Sequence, residues 1–496
     1  MDKLHADGLR FADEQGRTRI FNGISLPQTG VNRADLGWNL DDAWFEKFTA
    51  LGFNIIRFCM VWENLEPRPG QYNEAYLRCL DEVFDTAARH GVYIFLDMHQ
   101  DLYGPIEPPG GDGAPKWAHV TDGKKGRKTR VVWSENYLLN RAVARAFDNF
   151  WADTPVRGRG LQAHFAALWA MLARRYGDSP ALFGFDFLNE PFPGAGGMRA
   201  GRKLFGSVAK NLLFNKKIKI MKIAGDLMNR ERRPHALDQL TGDLVPDFAR
   251  PALPAIKRFD EEYYGPFLNR MAVHTRRETP NGFLMLEQSI FCNMGVPLSV
   301  PPISVDNERE ANQCYAPHAY DFFVDTPAYK YASDSRVGGL FDVIAGNQQR
   351  LQMPVVVGEW GAGDKHDPSW FHHARFLLDY FDQRQWSQAY WCCHDDDLDT
   401  PLVQGVLRRS CPQAVAGKIE RYCCTDGAFE LAFTQGPEDA EETLLYIHRP
   451  FAAIECEGAW EVVREYETGA SALRLHTRPG RHCVVVRFGP TAVSCQ

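Results

Sequence analysis

The sequence predicts an α/β protein: a (β/α)8 TIM barrel followed by a small C-terminal antiparallel β-sandwich. Three observations predict it. Eight apolar runs of strand length alternate with longer amphipathic stretches, the pattern of repeated βα units around a parallel sheet. Polar and aromatic residues gather just after those runs, as they do at the one rim of a barrel where loops meet. From about residue 412 the pattern shortens to strand-like alternation between turn residues. A chain of 496 residues accommodates such a barrel with insertions and one small domain. Residues 1–412 are expected to form the barrel, with a basic insertion at about 193–261, and residues 413–496 the sandwich.

The eight expected strands are residues 20–26, 54–62, 92–98, 182–188, 282–288, 313–320, 354–360 and 388–393. Amphipathic stretches at 40–51, 74–90, 161–176 and 368–383 read as helices between them. The first two end in Leu51-Gly52 and His90-Gly91, each glycine placed for a helix C-cap. Residues 101–134 form a long connection with Pro108-Pro109-Gly110-Gly111 and a polar run at 121–130, and long rim loops usually shape a substrate site. The last part offers strands at 429–433, 443–447, 460–466, 472–476 and 482–488, separated by turns such as Pro479-Gly480.

Composition removes whole classes of function. A net charge of -7 and a pI near 6.1 lack the basic footprint of a nucleic-acid binder. Aromatic content of 12% leaves rings to spare for a cleft. The first residues contain no apolar signal-peptide core and no window reaches the roughly 18 apolar residues of a spanning helix, so a cytoplasmic protein is expected, or a secreted one if the chain is a trimmed mature form. The 12 cysteines show no CxxC pair or Cys/His zinc spacing and read as reduced thiols. Against this acidic background the insertion is basic: Lys210, Lys216, Lys217, Lys219 and Lys222 interleave with Leu213, Phe214, Ile220 and Met221. Such a segment either lies on an anionic membrane surface or packs on the barrel and solvates its lysines.

Two strands end in a carboxylate. The run at 182–188 leads into Asn189-Glu190-Pro191, and the run at 354–358 into Glu359-Trp360. Two such groups at one rim are what a retaining glycosidase requires, one as acid/base and one as nucleophile, roughly 5 Å apart. Spacing alone does not say which glutamate does which job.

The ordered set Arg57, His99, Asn189-Glu190-Pro191, His318, Tyr320, Glu359 and Trp391 resembles glycoside hydrolase family 5. Within that family the segments 96–101, 112–117 and 145–151 look most like the endoglycoceramidases and glucosylceramidases, which cut the β-bond between a sugar and ceramide. The resemblance implies that Glu190 is the acid/base and Glu359 the nucleophile. It also implies that Arg57, His99, Asp101, Asn189, Gln288, His318, Tyr320 and Trp391 bind substrate or tune the carboxylates, with no metal and no cofactor. The partner it implies is a glycolipid or other β-glycoside. The chain departs from the resembled proteins after the first strand, where Arg33 is the one basic residue and a lysine is usual, and after the eighth, in Cys392-Cys393-His394-Asp395.

Three other readings compete. One is a β-glucosidase, steryl glucosidase or glucanase on the same barrel, against which apolar loop residues such as Leu102, Tyr103, Ile106 and Phe291 hint at a lipid cleft. A second is a metal-dependent hydrolase using His99, Asp101, His318, His394 and Asp395, although these lie at unrelated strand tips. A third is a non-catalytic glycolipid- or membrane-binding protein resting on the basic insertion.

Overall fold

The computed structural model describes residues 1–27, 37–230 and 232–489. Arg33 lies outside them. Eight parallel strands follow one another around a barrel: β1 (Asn22–Pro27), β2 (Ile55–Val61), β3 (Tyr93–His99), β4 (Leu182–Asp186), β5 (Phe283–Glu287), β6 (Gln313–Ala316), β7 (Val356–Val357) and β8 (Ser387–Tyr390). The sheet runs in the order β6-β5-β4-β3-β2-β1-β8-β7. Parallel bridges Tyr315 to Val355 and His318 to Glu359 join its two ends, so the ring closes beside one of the catalytic candidates.

Every residue of β2 and β3 is buried, because a barrel strand is covered by helices outside and by layered side chains inside. The two-residue period of a strand then decides which way each side chain points. Ile55, Tyr93, Phe95, Phe183, Phe283 and Met285 belong to one inner cluster, while Ile56, Ile94, Leu96 and Leu284 pack in the cluster shared with the helices. Counting on by two from the inner residues reaches Arg57, Asp97 and Glu287, all wholly buried. The inner layer above the aromatic one is therefore charged, and the rim residues stand on it.

Helices α1 (Asp42–Ala50), α2 (Glu74–His90), α3 (Leu161–Tyr176), α4 (Gly194–Phe214), α5 (Ile220–Met228) and α6 (Phe371–Arg384) include those expected. Asp41 caps α1 by accepting from the Trp44 N–H, and Gly91 ends α2 at φ 71°, a left-handed conformation that costs glycine little. No helix of the described residues is long and apolar enough to cross a membrane.

The C-terminal strands form two antiparallel sheets over a core that includes Phe429, Leu431, Phe433, Leu445, Leu473 and Val484. One of these sheets also takes in the N-terminal strands Leu4–Asp7, Arg10–Asp13 and Thr18–Arg19, through Arg19 and Thr18 pairing with Ala414 and Val415. The expected division at 412/413 thus does not separate hydrogen-bonded units, because the first 19 residues extend the sandwich rather than the barrel. The same hairpin plugs the barrel floor: the Phe11 ring meets Phe21, Phe183 and Phe283 edge-on at 5.7, 5.3 and 5.1 Å. Phe11→Ala is expected to cost about 3–5 kcal/mol, the range for deleting a buried phenylalanine. Urea unfolding measures this, and a loss below about 1 kcal/mol would show that the plug does not support the barrel.

Candidate active site

Glu190 and Glu359 meet at the rim. One carboxylate oxygen from each, together with a ring nitrogen of His318, lies within a sphere of contacts no longer than 4.8 Å. His318 Nδ1 is 3.1 Å from Glu190 Oε1 and 3.6 Å from Glu359 Oε2. That separation suits direct attack by one carboxylate, whereas inserting a water between acid and base needs roughly 6.5–9.5 Å.

The two glutamates have different surroundings. Glu359 takes an ion pair from Arg57 on one oxygen and a hydrogen bond from the Tyr320 hydroxyl, 2.6 Å, on the other. Glu190 Oε1 accepts from Asn293 Nδ2 at 2.6 Å, and burial pushes its pKa up to about 7, against the pull of His99 and Arg57. One carboxylate is thus held by a cation and a phenol, and the other keeps its proton near neutrality.

The backbone sets Glu190 apart as well. Its φ of 43° is left-handed, a region that non-glycine residues rarely occupy. The turn is held from beneath: Glu287 Oε1 accepts the Glu190 N–H at 2.6 Å, and Gln100 Nε2 donates to the carbonyls of Asn189 and Glu190 at 2.9 and 3.3 Å. Glycine is required one position before the other carboxylate, since a Cβ on Gly358 would lie 2.7 Å from His318 Nε2.

Arg57 ties the charged layer together. Its guanidinium donates to Asn189 Oδ1 at 2.8 Å and pairs with Asp97 at 3.1 Å as well as with Glu359. Burial opposes ionisation of Asp97, yet Arg57 and His99 hold its pKa below the ordinary carboxylate value. Asp186 and Glu287 are pushed well above theirs, chiefly by burial and then by neighbouring acids. His99 is likewise resisted by burial but raised by hydrogen bonding to Asp101 and Asp97, the latter at 3.0 Å from Nδ1. His318 is held neutral by burial, its pKa lowered to about 3. The layer thereby limits its own charge: two cations, Arg57 and His99, face the ionised Asp97 and the nucleophile candidate.

Most expected residues arrive at this one place. Trp391 stacks on His99 with ring centroids 5.0 Å apart and planes at 17°, and remains partly exposed. Asp101 Oδ2 is 3.7 Å from His99 Nε2. Asn189 donates one amide N–H to the Gln100 carbonyl at 3.1 Å, which leaves the second for a substrate hydroxyl.

Gln288 is a correction. Expected on the glycan, it is fully buried; its Oε1 accepts from Tyr315, and its Nε2 donates to Asn293 Oδ1 at 2.8 Å and to the His318 carbonyl at 2.7 Å. It orients Asn293 and hence Glu190, with no polar atom left for a sugar. Trp360, next to Glu359, is also wholly buried and donates to Gln388 at 2.7 Å, so it cannot stack on a ligand. Leu102, Tyr103, Ile106 and Phe291, expected to line a lipid cleft, lie in the main core. The five residues of the metal reading do not converge: Asp395 caps the Asn39 N–H at 2.9 Å, and His394 packs against Trp38.

Sequence reasoning missed Asn293, Gln100, Asp97 and Glu287 as site residues. Asp97 and Glu287 could have been found by counting two residues from the inward-facing positions of β3 and β5.

The chain is similar to several known proteins. Residues 13–221 match the model of Cellulase (glycosyl hydrolase family 5). An endoglycoceramidase I of Rhodococcus hoagii is 30% identical over 197 residues, 39% of this chain and 37% of that protein. A glucosylceramidase of Rhizopus delemar is 28% identical over 247 residues, 38% of this chain and 36% of that protein. The matched segments therefore span well under half the length of these curated relatives. The endo-glycoceramidase II structure from Rhodococcus sp. superposes with a TM-score of 0.74 over 97% of this chain and 100% of that one, at 22% identity. Further structures of that enzyme are described as a lactosyl-enzyme intermediate and a ganglioside GM3 complex. Over residues 13–221 the chain is thus similar to the cellulase domain of glycosyl hydrolase family 5, and endoglycoceramidases and glucosylceramidases are among its homologues.

Proposed function

We propose that the protein is a retaining β-glycosidase that cuts the bond between a glycan, or a single sugar, and a lipid aglycone such as ceramide. The observation that carries the reaction type is the approach of Glu190 and Glu359 carboxyl oxygens to within 4.8 Å inside a closed barrel rim. Glu190 donates its proton to the leaving oxygen while Glu359, oriented by Arg57 and Tyr320, attacks the anomeric carbon. Glu190 then removes a proton from the incoming water, and the sugar leaves with its configuration retained. Trp391 supports the sugar ring, and His99 and the spare Asn189 N–H face its hydroxyls. The residues present need no metal or cofactor for these steps.

The lipid aglycone rests on the named relatives. A panel of β-glycosides tests the assignment: glucosylceramide, an oligosaccharylceramide, a steryl glucoside, cellooligosaccharides and an aryl glucoside. Preference for either ceramide over the sterol and cello-substrates by tenfold or more in kcat/KM is expected, about 1.4 kcal/mol of discrimination. Equal or greater activity on cellooligosaccharides overturns the aglycone. No turnover of any glycoside overturns the enzyme.

A further inference from the structure

The insertion that follows Glu190 carries more apolar surface than its own packing uses. It has a core of its own, in which Ile218, Ile223, Ala236, Leu240 and Leu244 are buried. Yet Leu213, Phe214, Met221 and Met228 stand 61%, 76%, 81% and 82% exposed. On α5 the helical period puts Met221, Ala224, Gly225 and Met228 on one stripe, opposite Ile223 and Asp226. Single exposed apolar residues need no explanation, but a stripe of the largest ones does.

Charge decides what the stripe faces. Between residues 193 and 230 there are nine Lys or Arg and a single acidic residue, Asp226, which is buried and paired with Lys222 at 2.7 Å. Lys210, Lys216 and Lys219 have no ion pair among the described residues and flank the apolar positions. Lys217 pairs with Asp243 at 2.5 Å and Arg127 with Glu135 at 3.4 Å, but the remaining charge around the apolar centre is predominantly basic, the complement of an anionic lipid surface.

The surface continues to the catalytic rim. Gly201 of α4 meets Leu138 of the helix Glu135–Leu139 so closely that a Cβ there would lie 2.5 Å from it. That helix follows the loop bearing Lys124, Lys125, Lys128 and Arg130, on which Val131 is 83% exposed. Trp133 of the same loop donates to Asp325 Oδ2 at 2.7 Å, beyond the tip of β6 and its Tyr320. Basic and apolar groups thus extend from α5 to the strand tips that hold the site.

We propose that α4, α5 and the 124–133 loop form a docking surface for an anionic lipid bilayer, with Phe214, Met221 and Met228 entering the acyl boundary and the lysines contacting headgroups. Docked in this way, the rim faces the membrane from which a glycolipid headgroup projects. The proposal deepens the lipid-glycoside reading and rests on it for the purpose of docking, but its test does not require lipid turnover.

Cosedimentation of the full chain with phosphatidylcholine vesicles, with and without phosphatidylserine, measures it directly. Binding is expected to be at least about tenfold stronger with phosphatidylserine and to weaken with salt. Met221→Ser/Met228→Ser and Lys216→Glu/Lys219→Glu, all at exposed positions, are each expected to reduce vesicle binding by about tenfold or more, with unchanged thermal melting and unchanged turnover of a soluble aryl glucoside. Equal binding to both vesicle types, or wild-type binding by both double variants, overturns the proposal. So does a dimer in sedimentation that the Met221→Ser/Met228→Ser variant abolishes, since the stripe would then belong to a second copy of the chain. Absence of aryl glucoside turnover in the wild type counts against the glycosidase reading alone and leaves the vesicle result standing.

Discussion

Glu359→Gln is expected to lower kcat on every glycoside by on the order of 10⁴- to 10⁶-fold, the range for removing the nucleophile or its partner from other covalent hydrolases. The loss should not depend on the leaving group, because no group nearby can replace the missing nucleophile: Asp97 is paired with Arg57 beneath the rim, and Glu190 carries the proton. Folding should survive. The amide oxygen still accepts from Arg57, and Asp97 remains 3.1 Å from the guanidinium, so no buried cation is left unpaired. Circular dichroism and the melting transition check the fold while the rate is measured. A variant that retains more than about a hundredth of wild-type activity would remove Glu359 from the chemistry.

Glu190→Gln has a different signature. With its pKa near 7, Glu190 is protonated below that pH and loses the proton above it, so wild-type kcat/KM is expected to fall about tenfold per unit on the alkaline side of 7. The sign follows from the role: an acid is useful while protonated, and burial has raised, not lowered, the pH at which it ionises. Glutamine cannot transfer a proton to the leaving oxygen, and the loss should be about 10²- to 10⁴-fold for ceramide or sterol aglycones. It should be much smaller in the first step for an aryl glycoside whose leaving group needs no proton, and the alkaline limb near 7 should disappear. A variant that keeps this limb would assign it to another titratable group of the site.

Why the barrel was legible is visible in β2 and β3. A strand covered on both faces is buried along its whole length, and seven-residue runs that are apolar except for Arg57, Asp97 and His99 are hard to mistake once they alternate with amphipathic helices. Glu190 and Glu359 were legible because each interrupts such a run at its end, where burial of a charge has no structural purpose. Gln288 shows the limit of that logic: it also sits at a strand tip, but its amide is consumed by Tyr315, Asn293 and the His318 carbonyl. Position along the chain gives the rim, not the saturation of hydrogen bonds. Asn293 was hidden for a related reason, since it reaches Glu190 from the short 3-10 turn Cys292–Met294, in a stretch whose apolar neighbours looked like a lipid wall. The N-terminal hairpin was out of reach altogether, because Thr18 and Arg19 find their partners about 400 residues away, at Val415 and Ala414. The insertion's lysines were plain in the sequence, but the stripe of exposed methionines depends on which face of α5 its small core claims.

The central claim is that two carboxyl groups stand close enough for one to bond to the sugar while the other manages the proton. Proton NMR of the first sugar released from a β-glycoside, recorded before mutarotation, tests it most directly. The β anomer appearing first is the result expected from carboxyl oxygens within 4.8 Å of each other. The α anomer appearing first would mean that water attacks directly across a wider gap, and would contradict the account.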